Sequence, residues 1–197
     1  MIGPLREWVD QPMKGVALRG QLLRPWREWR FHSFGASSII HKPMWIYGPH
    51  QISVGSSVLI LHGAWLSVER VAWDRPAPVL QIGNFVSVRP HCTIAAAESV
   101  IIEDGVVLAA HTTVLDSDHT FTEGRLSVMH SPIVTTPTRI GAGTWVGERV
   151  AILRGADIGR GCLIGANSVV KGTIPDGSIA VGAPARVVGQ VERRPAP

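Results

Sequence analysis

Cysteine is almost absent. Cys92 and Cys162 are the only two in 197 residues, too few for a disulfide framework. Phenyl and phenol rings are also scarce, with four Phe and one Tyr, so the core cannot be built on them. Charge is sparse: 17% of residues are charged and 45% are hydrophobic, which excludes a solvated, disordered chain. The net charge of +4 is a small excess, and no nucleic-acid recognition motif accompanies it, so no nucleic-acid partner is expected. The stretch 43–68 holds no Asp, Glu, Lys or Arg, but Pro43, Gly48, Pro49, His50, Gly55 and His62 interrupt it, which a lipid-facing helix tolerates poorly. No segment has the layout of a signal peptide, so a reducing, cytoplasmic setting is the default expectation.

Gly (21) and Pro (14) are plentiful and predict frequent turns. Between the turns runs a step of six. Aliphatic residues recur at Ile46, Ile52, Val58 and Ala64, then at Ile82, Val88 and Ile94, then at Ile102, Leu108 and Val114. After a break they return at Ile140, Val146, Ile152, Ile158, Ile164 and Val170. Four residues after most of these sits a small or slim side chain, as at Ser56, Cys92, Thr112, Thr144, Ala156, Cys162 and Ser168. That residue lies two before the next aliphatic, and positions two apart on a strand share a face. Each unit thus sends one large and one small side chain inward, with turn residues between strands. Short strand and turn alternating at a period of six is the pattern of a parallel β-helix, three units to a coil. A β-sandwich does not fit, because hairpins do not repeat every six residues over such lengths.

The repeat resembles the hexapeptide-repeat acyltransferase superfamily over roughly residues 46–188. Ile140-Gly141-Ala142-Gly143-Thr144-Trp145-Val146-Gly147 is similar to the late-coil signature of that family. Ile164-Gly165-Ala166-Asn167-Ser168-Val169-Val170, with Val181-Gly182-Ala183-Pro184-Ala185-Arg186, is similar to its coenzyme-binding end. The resemblance implies an all-β, left-handed parallel β-helix, against the usual hand of parallel crossovers. It also implies a homotrimer with sites at subunit interfaces, acetyl-CoA or another acyl-CoA as co-substrate, a sugar acceptor and no metal. On this reading residues 1–45 form an N-terminal, partly helical cap segment. Residues 46–188 form the acyltransferase domain, with 119–139 an extended active-site loop, and 189–197 form a tail.

Acyl transfer to a hydroxyl needs a base, and imidazole titrates near working pH. His119 stands in Leu115-Asp116-Ser117-Asp118-His119, where the period stops and the long loop begins. The resemblance makes it the catalytic base. Asp116, Asp118, Glu123 or a backbone carbonyl could orient it. The resemblance also implies donor contacts at Trp145, Gly147, Ala166, Lys171 and Arg186. Arg89 and His130 are expected on the acceptor side, Arg89 standing where related enzymes carry Asn. His62 falls on a small-residue position and reads as structural, and both cysteines read as core. A zinc site of the γ-carbonic-anhydrase kind needs two ligands five apart, a spacing absent among His91, His111 and His119. An N-acyltransferase acting on an amino sugar or antibiotic, and an inactive scaffold, are the other readings. The N-terminal segment carries Arg6, Arg19, Arg24, Arg27, Trp8 and Trp26. It reads first as a cap over the open first coil, with contact of residues 1–30 with an anionic membrane surface as the alternative.

Overall fold

The computed structural model describes residues 29–74, 78–121 and 131–192. Residues 1–28 of the expected cap lie outside them. Three parallel sheets run the length of a left-handed β-helix. Each of the first six coils contributes one short strand to sheet A, one to sheet B and one to sheet C, and the last contributes to sheets A and B. The fourth coil is typical, with Val100–Ile102 in sheet A, Val107–Leu108 in sheet B and Thr113–Leu115 in sheet C. The fifth follows as Thr138–Ile140, Trp145–Val146 and Ala151–Ile152. The register is direct: Ile102 lies over Ile140, Leu108 over Val146 and Val114 over Ile152.

The aliphatic wall predicted by the period is the core. Ile94, Leu108, Val114, Ile140, Ile152, Ile158 and Ile164 are fully buried, and Cys92, Thr112, Ala156 and Ser168 fill the slim positions between them. Burying each large aliphatic stabilises the prism by about 1.5–3 kcal/mol. Buried hydroxyls are satisfied within this wall: Thr144 Oγ1 donates to the Gly159 carbonyl at 2.9 Å.

The structure corrects the register at the start. In the second coil Ile60 and Leu66 take the large positions, and Val58 and Ala64 take the slim ones. Ser56 is only half-buried, its amide donating to Asn84 Oδ1. A 3-10 turn at Pro49–Gln51 inserts two residues at the corner and shifts the frame. The same step of six also continues upstream of Ile46, through Ile40 and Phe34, both buried. The winding therefore begins at Ser33–Phe34, which pairs in parallel with Ile52–Val54.

All three corners use left-handed backbone. Between sheets A and B these residues are Ser37, Ser57, Phe85, Gly105, Gly143, Gly161 and Gly177, between sheets B and C they are Lys42, Gly63, His91, His111, Arg149 and Asn167, and between sheets C and A they are Gly48, Gly155 and Gly172. The third corner, from sheet C back to sheet A, is irregular, and the long excursion departs there. At the C-terminal end Ala185–Gln190 folds back antiparallel on Ser178–Gly182 and covers the last edge of sheet B. No helix among the described residues is long and apolar enough to cross a membrane.

Candidate active site

His119 sits on a two-stranded hairpin that leaves the prism after the fourth coil. Ser117–His119 pairs antiparallel with Ile133–Thr135, placing His119 opposite Ile133. His119 is exposed, while His130 and Glu123 lie outside the described residues. The base of the hairpin is fixed by Asp116, which is fully buried. Its carboxylate accepts from the backbone N–H of Ala97 at 2.8 Å, Glu98 at 2.7 Å and Ser99 at 2.8 Å. Those bonds engage both carboxylate oxygens, so Asp116 anchors the base of the hairpin. Asp118 Oδ2 is held at 2.9 Å by Arg154 Nε from the coil below. The hairpin returns through Thr136 N–H, which donates to the Asp116 carbonyl at 2.9 Å, and Thr138 Oγ1, which donates to the Leu115 carbonyl at 2.9 Å.

A second feature lies on the outer face of sheet B. A groove of about 900 Å³ is lined by residues that include Leu61, Arg89, Pro90, Trp145, Glu148 and Ala166. Three sequence-predicted residues, Arg89, Trp145 and Ala166, thus share one surface. Trp145 projects outward and is 45% exposed, so it does not pack in the core. Gly147 follows it in the chain and is required by close approach. A Cβ there would meet the Ala166 nitrogen at 2.6 Å and the Ile164 oxygen at 2.9 Å. Arg186 is exposed on the strand that closes sheet B. Lys171 is elsewhere: it follows the sheet-C strand Val169–Val170 and emerges from the edge between sheets C and A, the edge that carries the hairpin.

The predicted residues therefore form two groups. Arg89, Trp145, Gly147, Ala166 and Arg186 belong to the face of sheet B. His119 and Lys171 belong to the opposite edge of the triangular prism. One chain does not bring the two groups together. Arg154 was not singled out by sequence. Arg154 meets Asp118 across 36 residues, a separation that leaves no local signal.

His41, His62, His91 and His111 form a column on the corner between sheets B and C. His62 is exposed there rather than inward, a consequence of the two-residue shift in the second coil. Its ring lies edge-on to His91 with centroids 5.2 Å apart, and His91 stacks on His111 at 5.2 Å. No group of three or more metal-ligating side chains exists among the described residues. Both cysteines are buried and unpaired. Burial pushes the Cys92 thiol up to about 11, against hydrogen bonds from neighbouring backbone, so it carries no thiolate at neutral pH.

Comparison with known proteins fits this geometry. Residues 137–172 match the family described as bacterial transferase hexapeptide (six repeats). A probable acetyltransferase of Mycobacterium tuberculosis is 42% identical over 109 residues, 55% of this chain and 36% of that protein. A putative lipopolysaccharide biosynthesis O-acetyl transferase, WbbJ of Escherichia coli, is 34% identical over 119 residues, 56% of this chain and 60% of that protein. The chain thus spans between about a third and three-fifths of these two relatives. Among solved structures, a variant of AntD, an N-acyltransferase from Bacillus cereus in complex with dTDP and coenzyme A, superposes with a TM-score of 0.72 at 22% identity. That superposition covers 86% of this chain and 89% of AntD. A maltose O-acetyltransferase from Clostridium difficile superposes with a TM-score of 0.56 at 24% identity, covering 85% and 73%.

Proposed function

We propose, on the premise that the chain belongs to the hexapeptide-repeat acyltransferase superfamily, that it moves an acetyl or other acyl group from acyl-CoA to a hydroxyl of a sugar or polysaccharide precursor. The observation that carries this reading is the groove on sheet B, whose lining joins Trp145, Ala166 and Arg89 beside the tightly packed backbone of Gly147. An extended thioester arm suits an open groove with one indole wall. The name of the Escherichia coli relative, an O-acetyl transferase of lipopolysaccharide biosynthesis, supports a hydroxyl acceptor.

His119 is the general base. Its imidazole takes the proton of the acceptor hydroxyl, and the oxygen attacks the thioester carbonyl. Backbone N–H groups stabilise the oxyanion. Collapse breaks the carbon–sulfur bond, forms the ester, and returns the proton from His119 to the departing thiolate. Trp145, Gly147, Ala166 and Arg186 hold the donor, and Arg89 faces the acceptor; His130, expected on the acceptor side, lies outside the described residues. Because His119 and Lys171 lie on one edge of the prism and the groove on the opposite face, a complete site needs two protomers. A homotrimer with three interfacial sites meets that need. Lys171 then approaches the donor phosphates from the neighbouring protomer. The buried, unpaired cysteines suit a reducing, cytoplasmic setting.

His119→Ala lowers turnover by about 10²–10⁴-fold in a thiol-release assay, while the thermal shift caused by acetyl-CoA persists. Near-wild-type turnover would remove His119 from the mechanism, and no shift with acetyl-CoA in the unsubstituted protein would remove the donor.

A further inference from the structure

The hairpin carrying His119 is a thin element. A two-stranded hairpin by itself is marginally stable in water, so its aim must be set by what holds it. The coil above holds its base through buried Asp116 and the three backbone amides of Ala97, Glu98 and Ser99. The coil below holds it through one guanidinium. Arg154 Nε donates to Asp118 Oδ2 at 2.9 Å, and Arg154 Nη1 donates to Thr136 Oγ1 at 2.9 Å. Asp118 belongs to the outgoing strand, and Thr136 directly follows the returning one. A single planar side chain therefore spans both legs of the hairpin.

Asp118 is the residue next to His119, and neighbours on a strand point to opposite faces. Fixing the Asp118 carboxylate against Arg154 turns the following imidazole to the face away from the coil below. A guanidinium suits this task because its fork is rigid and its charge permanent, whereas an ammonium offers no fixed second donor. The Arg154 side chain is 30% exposed and that of Asp118 51% exposed, so the pair adds little to global stability. Its consequence is local.

We infer that Arg154 is a positioning residue for the reaction, a two-legged brace that sets the direction of His119 through Asp118 and Thr136. This inference rests on His119 being the base. Small displacements of a reacting group cost large factors in rate, so Arg154→Ala lowers kcat by about 10–100-fold. The KM for acetyl-CoA stays within about twofold, because Arg154 holds Asp118 and Thr136, neither of which is assigned to the donor. The melting temperature falls by no more than about 2 °C, as for an exposed ion pair.

Arg154→Lys recovers part of the loss by retaining one leg. The exchange Asp118→Arg with Arg154→Asp recovers more than either single substitution, an effect that a general loss of folding would not give. In the His119→Ala background, Arg154→Ala has no further effect on kcat, because both changes act through one imidazole. Wild-type kcat in Arg154→Ala would overturn the inference, as would full additivity with His119→Ala. If His119→Ala itself keeps wild-type turnover, the base assignment fails instead. A kcat loss in Arg154→Ala would then mark a different role for Arg154.

Discussion

At the scale of single residues, polar groups in this prism serve as ties between coils. Glu103 is the clearest case. Its carboxylate accepts from Arg139 Nε at 2.8 Å and from the Ala142 amide at 2.9 Å, and Arg160 stands 3.5 Å away. Burial alone would raise its pKa, but the Ala142 amide and the Arg139 guanidinium outweigh it, and the carboxyl is held below its ordinary value. A lowered carboxyl contributes stability at pH above the unfolded value of about 4.3 and loses it as pH falls through the folded value. Glu103→Gln is therefore less stable than the parent at neutral pH, and the gap in melting temperature narrows as pH falls below about 4. A gap independent of pH, measured by thermal melts across that range, would contradict the assignment.

At the scale of elements, coil spacing fixes what each turn can hold. Gly147 leads out of its sheet-B strand with its N–H donating to the Ile164 carbonyl at 2.8 Å. Its position against Ala166 leaves no room for a methyl group. Gly147→Ala must push the fifth and sixth coils apart beneath the groove. The expected cost is about 1–3 kcal/mol, seen as a melting temperature lower by several degrees. Weaker acetyl-CoA binding, read by calorimetry, accompanies it. An unchanged melt would show that the coils part freely there. The hairpin belongs to this scale too. Its departure point was legible in the sequence because the period stops at Val114, but its two anchors were not. Asp116 and Asp118 are identical residues two apart with opposite fates, one fully buried on three amides and one paired at the surface.

At the scale of the whole molecule, the prism separates His119 from the groove on sheet B. If each site joins two protomers, two different inactive variants can complement each other. His119→Ala lacks the proposed base, and Ala166→Trp fills the groove with an indole. Each alone is inactive as a homo-oligomer. Trimers reassembled from a mixture contain interfaces at which an intact His119 meets an intact groove, so activity returns to a measurable fraction of the parent. No recovery, with mixed trimers verified by mass spectrometry, would place base and groove in one protomer.

The sequence by itself determined the β-helix and the point where its winding opens. A period of six sets which side chains face inward, and that pattern is local, repeated and insensitive to distant contacts. It also carried the identity of the sheet-B residues, since Trp145 and Gly147 lie inside one repeat. Tertiary structure alone decided the frame of the first two coils, because the 3-10 turn at Pro49–Gln51 shifts the register without altering composition. It likewise decided that Ser33–Phe34 begins the winding and that His62 stands on a corner. The grip of Arg154 on Asp118 and the division of the site between a face and the opposite edge depend on how coils stack. Stacking joins residues tens of positions apart, and a period within six residues does not encode it.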